Sequence, residues 1–585
     1  MTPTDLDGME GRWARLVPWV AAVLGLLWFI ALGGWRALNP TDLDWLGWGD
    51  QSQQVIGWLF FRDAPWSFPL GRTPGLMRPL TMSVGFSDSN PWMSLAFKPF
   101  SPWLPQDFQF VGLWLASCLA LQGFMGAKVM ALFTPRASQQ LLGAAFFILA
   151  PILVFRFGHS NLSAHWMLTA LLWLTLRPRA SAKDAWRTLG GAMLLSVFAA
   201  GTHPYLAIMT FALTLALLVS TVHPERLLSW RQAVVAFAGA NLVMLGVFVL
   251  FGYMGQDVRG DAASGFGDYS ADMLALINSF GLSYVLPWIP ARPGQYEGLG
   301  FLGTGALVLA LVAMAGRPSD WWPQARTQLK ARWPLVVVVV LMMLFAFSTT
   351  MTAAGVTVLS MRKVTQPLMA VLNMFRASGR FIWPMHYLVL TSILGLVLWR
   401  WRQHPAVATG VLLAAVVIQA VDSPTLWAQD RFRTATWPRL RAPEWERLDA
   451  SYRHVVMFPP YIHGSLEPCV DNTFASDDHM RWADLAYRKG MTTNSAYSTR
   501  LNERHVATVC NELKDDVANG RLAEDTLYVV DSPRLAQFQR LGERVTCGTV
   551  DGFNVCVAAA SGQFREALLH TSARTQPPPA VNNTP

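Results

Sequence analysis

The sequence predicts a polytopic α-helical membrane protein with a C-terminal extracytoplasmic α/β domain. Three observations predict it. Hydrophobic residues make up 52% of the 585, and charged residues only 14%, against the ~25% of soluble domains. Apolar runs recur from Leu16 to Asp422, separated by short basic connections. From residue 423 onward the composition turns mixed, and strand-like and helix-like segments alternate there.

The first apolar run, Leu16 to Leu32, follows Arg12 and Arg15. It lacks a small-residue cleavage site and is followed by further runs, so it reads as an uncleaved span. Candidate spans are 16–36, 109–127, 138–156, 161–177, 187–202, 204–222, 231–253, 299–316, 333–350, 381–400 and 405–422. Two long runs are split, at RFGHSN (156–161) and at GTHPY (201–205). A helix of about 36 residues would measure roughly 54 Å, against a hydrocarbon core near 30 Å, so each run folds as a hairpin.

The charges fit about eleven spans with the N-terminus inside. Lys128 and Arg136, Arg177 to Arg187, Arg226 and Arg231, Arg317 to Arg332, and Arg400 with Arg402 then all fall on the inner side. This accounts for much of the net charge of +9 without a nucleic-acid partner. The membrane part is 1–422, with outward loops 37–108, 254–298 and 351–380. The expected location is a bacterial inner membrane, with the C-terminal domain in the periplasm, where nucleotide sugars and ATP are absent.

The extracytoplasmic domain covers 423–570. HVVMFPP (454–460) and TLYVVD (526–531) read as strands, and 477–490 and 503–520 as amphipathic helices. ERVTCGTVDGFNVCVAA reads as a hairpin turning at Asp551-Gly552. A two-residue turn there places Cys547 opposite Cys556, close enough for a disulfide. Cys469 and Cys510 are the remaining pair outside the membrane, and Cys118 is packing within a span. Residues 571–585, rich in Pro, Asn and Thr, read as a disordered tail.

Chemistry is sought on the outer side. Walker, Rossmann, H-E-x-x-H and G-x-S-x-G motifs are absent from the sequence. The first loop carries Asp50, Asp63 and Asp88 among aromatic and Pro residues. Val55, Ile56, Leu59 and Phe60 fall at helical spacing, which predicts a short helix in the membrane interface with Asp50 just before it. Asp50 is the first candidate for a base that deprotonates an acceptor hydroxyl, and Asp88 in the turn FSDSNP the second; a solvated acid and an Asx-turn or helix cap are the plain alternatives. Asp63 reads as a solvated charge.

Arg376 and Arg380 in NMFRASGRFIWP are spaced i, i+4. On a juxtamembrane helix they would share a face and suit a lipid phosphate or pyrophosphate; surface anchoring is the rival reading. His159 and His203 fall at outward turns and His165 further along a span. Singly each suits helix-packing hydrogen bonds. Together with Lys98 they are candidates for lining a pocket.

In the order and spacing of WGDQSQQVIGWLFFRDAPWSFPLG (48–71), FSDSNPWMSLAFKP (86–99), RFGHSNLSAHWML (156–168), THPYL (202–206) and FRASGRFIWP (375–384), the sequence resembles the GT-C superfamily of polytopic glycosyltransferases, and most of all a bacterial membrane family within that clan. The resemblance implies a catalytic acid in the first outward loop, mapping onto Asp50. It implies a polyprenyl-phosphate sugar as donor and a glycan or glycolipid acceptor at the outer face. The acidic pair of metal-dependent members is not matched, since FSDSNP has one acid; no metal ligand is assigned, and a divalent metal is left open. A transporter or flippase of lipid-linked saccharides, and a polymerase or ligase of such saccharides, are the competing classes.

Overall fold

A computed structural model describes residues 3–47, 49–254, 266–315, 318–423, 427, 432, 435–462, 473–498 and 502–571. The chain forms two compact units. One comprises Met1–Asp42, Gln109–Val247 and Ala262–Arg433, the other Leu43–Phe108, Phe248–Asp261 and Thr434–Pro585.

The first unit is mainly helical. Among the described residues of the chain, five helices are long and apolar enough to cross a membrane: Arg15–Gly34, Val111–Met130, Pro204–Val222, Trp230–Leu250 and Ser378–Arg400. Two bent pairs raise the number to seven if each is one span. Ala137–Ile148 continues into Pro151–Gly158 through a 41° bend, and Trp321–Ala331 into Trp333–Phe347 through 88°. Both bends carry a proline in the first turn of the following helix, Pro151 and Pro334, where the missing N–H costs least. Thr304–Met314 and Pro405–Val421 are apolar but shorter.

Both expected breaks are present. Between Pro151–Val154 and Trp166–Leu176 the chain turns through two 3-10 helices, Phe155–Gly158 and Ser160–Ser163. Ala182–Ala200 and Pro204–Val222 are separate helices joined at Gly201–His203, with Ser196 and Thr214 hydroxyls 3.2 Å apart between them. The loop expected at 351–380 holds an antiparallel hairpin, Thr350–Ala353 with Val356–Ser360. The buried carboxylate of Asp272 fixes its turn, accepting from the Thr352 hydroxyl at 2.8 Å and from the Ala354 and Gly355 amides at 3.2 Å.

In the second unit five strands form one sheet, in the order Thr492–Thr493, His454–Phe458, Thr526–Val530, Phe553–Val557, Thr546–Val550. The first three are parallel, and the last two join antiparallel. The expected helices appear as Asp478–Arg488 and Glu503–Ala518. Phe458, Val517, Tyr528, Val530, Leu535 and Phe538 build the core on one side of the sheet. Cys547 pairs with Cys556 across the hairpin as the turn predicts, with Cα atoms 4.1 Å apart in a disulfide. Cys510 is also disulfide-bonded; its expected partner Cys469 lies outside the described residues, as do residues 572–585 of the expected tail. Cys118 is a buried free thiol.

One expectation is corrected. The helix Gly49–Asp63 begins with Asp50 inside its first turn, and it is not a one-sided interfacial helix: Gln51 to Arg62 are all buried. In its polar N-terminal half the Ser52 hydroxyl donates to the Gly49 carbonyl at 2.8 Å and Gln54 to the Asp88 carboxylate, and its C-terminal end is held by two cations. The Lys98 ammonium donates to the Phe61 and Ala64 carbonyls at 2.5 and 2.8 Å. The Arg62 guanidinium donates to the carbonyls of Pro105, Ser101 and Leu104 at 2.7, 2.9 and 3.0 Å. A helix whose end is fixed this way needs no lipid to cover it.

Candidate functional site

The first unit brings together Arg156, Glu297 and Arg380. The 3-10 turn Phe155–Gly158 that follows Pro151 carries Arg156, and the 3-10 helix Pro293–Gly298 carries Glu297. A third 3-10 helix, Ser378–Ile382, carries Arg380. The backbones meet closely: a Cβ on Gly379 would lie 2.7 Å from the Gly298 Cα. Only glycine lets Arg380 approach the Glu297 turn this way.

Arg156 donates Nη1–H to Glu297 Oε2 at 2.7 Å and Nη2–H to the Glu297 carbonyl at 2.8 Å. Arg380 donates Nε–H to Oε2 at 2.8 Å and Nη2–H to Oε1 at 3.2 Å. Burial raises the Glu297 carboxyl pKa, but Arg156 and then Arg380 outweigh it and hold the group well below the usual carboxylate range. Two guanidiniums around one carboxylate leave one net positive charge. Arg376, with its guanidinium 5.6 Å from the Tyr269 ring centre, adds a second.

Aromatic rings complete the cluster. The Arg380 guanidinium lies 4.8 Å from the centre of the Tyr205 ring, and that of Arg156 5.3 Å from Trp383. The Tyr205 hydroxyl accepts from the Ala377 amide at 2.9 Å. His203 caps the Pro204–Val222 helix: its Nδ1 accepts from the Tyr205 amide at 3.2 Å. Burial, then the positive charges of Arg380 and His159, keep His203 well below the usual imidazole range. In its neutral form the acceptor role of Nδ1 puts the proton on Nε2.

Several site expectations change. Arg376 and Arg380 do not share one helical face, because Ala377 at φ −86, ψ 58 separates two 3-10 helices. Arg380 is committed to Glu297 and not a solvent-facing anchor. His159 and His203 join the charged cluster through their electrostatics with Glu297 and Arg380. His165 Nδ1 lies 2.9 Å from the Tyr387 hydroxyl and its ring 4.4 Å from Trp383, contacts that fit the helix-packing role. Lys98 is a helix cap, not a pocket residue. Burial, against the attraction of Asp63, lowers its pKa to about 8.

The acids Asp50 and Asp88 belong to the second unit. Asp50, Gln54 and Gly57 fall at i, i+4 and i+7 on one face of the Gly49–Asp63 helix. Gln54 Nε2 donates to Asp88 Oδ2 at 3.0 Å. The turn bearing Asp88 rests on Gly57, where a Cβ would lie 2.1 Å from the Ser87 hydroxyl and 2.2 Å from that of Ser89. Asp88 has φ 57, and the following Asn90, not Asp88, caps the helix Pro91–Phe97, accepting from the Met93 amide at 3.3 Å. The two acids are therefore presented along one helix face, and both are partly exposed. Among the described residues, no group of three or more His, Cys, Asp or Glu side chains is arranged to hold a metal ion.

Sequence reasoning missed Glu297 and its pairing with Arg156. The signal available was an acid in GQYEGLGF, hemmed by glycines at the mouth of an apolar run.

The family model of a domain of unknown function, DUF6311, matches residues 22–424. That of the DUF6311 C-terminal domain matches residues 444–558. A search of curated proteins gives no match to the chain.

Proposed function

The chain belongs to the DUF6311 family, and we propose that it is a GT-C type membrane glycosyltransferase that moves a sugar from a polyprenyl-phosphate donor to a glycan or glycolipid acceptor. In this reading Trp166–Leu176, Ala182–Ala200, Thr304–Met314 and Pro405–Val421 join the five long helices and the two bent pairs, to give about eleven spans. The protein sits in a bacterial inner membrane with its C-terminal unit in the periplasm.

The observation that carries the reading is the cluster of Arg156, Arg380 and Arg376 with the single carboxylate of Glu297. A departing polyprenyl phosphate carries up to two negative charges. The cluster holds a matching net charge, rigidly placed and largely out of water, the arrangement that stabilises developing charge best. Glu297 fixes the two guanidiniums against their mutual repulsion. Arg376, which has no ion pair with Glu297, is assigned the first contact with phosphate oxygens, and the neutral His203 a supporting hydrogen bond.

Asp50 is assigned the acceptor proton. The hydroxyl oxygen attacks C1 of the sugar as the C1–O bond to phosphate breaks, which inverts the anomeric centre; the hydroxyl proton passes to the carboxylate. Asp88, held by Gln54, is assigned to orient the acceptor.

The test uses purified full-length protein in nanodiscs with radiolabelled polyprenyl-phosphate sugars and a membrane glycan extract. Wild type transfers label, and Asp50→Asn loses roughly 10²-fold or more, the scale of a positioned base. Full activity in Asp50→Asn removes Asp50 as the base. Lipid scrambling by wild type without transfer from any donor replaces the enzyme with a transporter.

A further inference from the structure

Residues 348–377 join two apolar helices, Trp333–Phe347 and Ser378–Arg400. The end of the first and the start of the second meet, with the Phe345 and Phe381 rings 4.9 Å apart. The chain between them therefore leaves and returns at one level. It has no Asp or Glu, and it carries Arg362, Lys363 and Arg376. It is also unusually bare of cover. Val356 is 69% exposed, and every residue of Val356–Ser360 is exposed, on both faces of the strand. Val364, Leu368 and Val371 follow at i, i+4 and i+7, and Val364 is 78% exposed.

A second stretch of the same unit continues this surface. Arg292 donates to the Thr357 hydroxyl and ties the hairpin to the segment bearing Tyr284 and Trp288, which are 72% and 64% exposed. Tyr and Trp at such density suit the boundary between water and hydrocarbon. A contiguous apolar surface with basic residues and no acid of its own matches an anionic lipid surface better than a protein partner, whose interface would pair charges of both signs.

We infer that residues 348–377, with Tyr284 and Trp288, form an interfacial element that inserts its apolar side chains into the bilayer and sets Arg362 and Lys363 among anionic lipid phosphates. The inference rests on reading the flanking helices as membrane-spanning; it does not depend on the transferase reading. The attraction of such basic residues to anionic lipid is electrostatic and is screened by salt over about a Debye length.

The experiment is electron paramagnetic resonance on full-length protein reconstituted in phosphatidylcholine vesicles with and without phosphatidylglycerol. Nitroxide labels go on Val358→Cys and Val364→Cys, whose exposure makes misfolding no concern, and on Leu341→Cys, exposed on the Trp333–Phe347 helix, as a reference. The expected result is that both loop labels collide more with oxygen than with a water-soluble nickel complex. The Val364 label should shift further toward oxygen when phosphatidylglycerol is present, and Arg362→Gln with Lys363→Gln should abolish that shift. Loop labels open to nickel, or shielded from both reagents, would overturn the inference while the Leu341 label still reports a bilayer. No shift with phosphatidylglycerol would overturn it as well. A Leu341 label open to nickel would mean that the spanning reading itself fails.

Discussion

Arg380 grips Glu297 along one edge of its guanidinium, with Nε on Oε2 at 2.8 Å and Nη2 on Oε1 at 3.2 Å. A lysine cannot reproduce that fork, and an amide in place of the carboxylate cannot balance two buried cations.

Glu297→Gln should therefore destabilise the first unit strongly, on the order of 3–5 kcal/mol, because Arg156 and Arg380 remain buried without a counter-charge. Thermal unfolding followed by size-exclusion of a fluorescent fusion reads this; an unchanged midpoint would mean that water or lipid already neutralises the cluster. The pH dependence follows from the direction of the shift. The folded carboxyl is held below its unfolded value, so the stability it contributes is complete above about pH 4.5 and declines as pH falls toward the depressed folded value. The difference in midpoint between wild type and Glu297→Gln should stay level from pH 6 to 8 and shrink only in strong acid.

Gly57→Ala puts a methyl where the Ser87 and Ser89 hydroxyls already lie. The turn that carries Asp88 must shift, at a cost of about 1–3 kcal/mol. Transfer activity should fall in this variant even where its yield matches wild type. Restored activity in Gly57→Ala with Ser87→Gly and Ser89→Gly would support the steric cause, and full activity in the single variant would show that the turn tolerates displacement.

Reduction or Cys556→Ser should cost the second unit about 2–4 kcal/mol, the usual range for a native disulfide. Non-reducing peptide mapping should recover Cys547 linked to Cys556, and any other partner for Cys547 would reject the register of the hairpin.

Cysteines placed at Ala182 and Gln403 should be protected from an impermeant thiol reagent in intact spheroplasts, and one at Glu524 should react. Labelling at Ala182 would break the alternation of inner and outer loops on which the topology rests.

Much of this architecture could be read in the sequence where the signal was local. The turn at Asp551-Gly552 sets which residues face each other, so the Cys547–Cys556 pair followed from counting. The breaks at RFGHSN and GTHPY followed from the length a bilayer allows. The charged cluster was harder to read, because Arg156 and Glu297 are 141 residues apart and no periodicity links them. Spacing alone also misled at Arg376 and Arg380, where a 3-10 turn replaces the α-helix that i, i+4 assumes. The helix Gly49–Asp63 looked one-sided because its apolar residues dominate the pattern, but segments far along the chain bury its Gln and Ser side chains too.

The sheet of the second unit ends on one side in a strand of two residues, Thr492–Thr493, and on the other in Thr546–Val550. The latter is stapled covalently to its neighbour, and the Thr549 amide donates to the Thr571 carbonyl at 3.3 Å beside the helix Gln563–His570. Neither margin offers a long row of open amides and carbonyls to another chain. Copies crowded on a membrane would otherwise template one another into fibrous sheets, and this unit is built so that its own borders refuse the pairing.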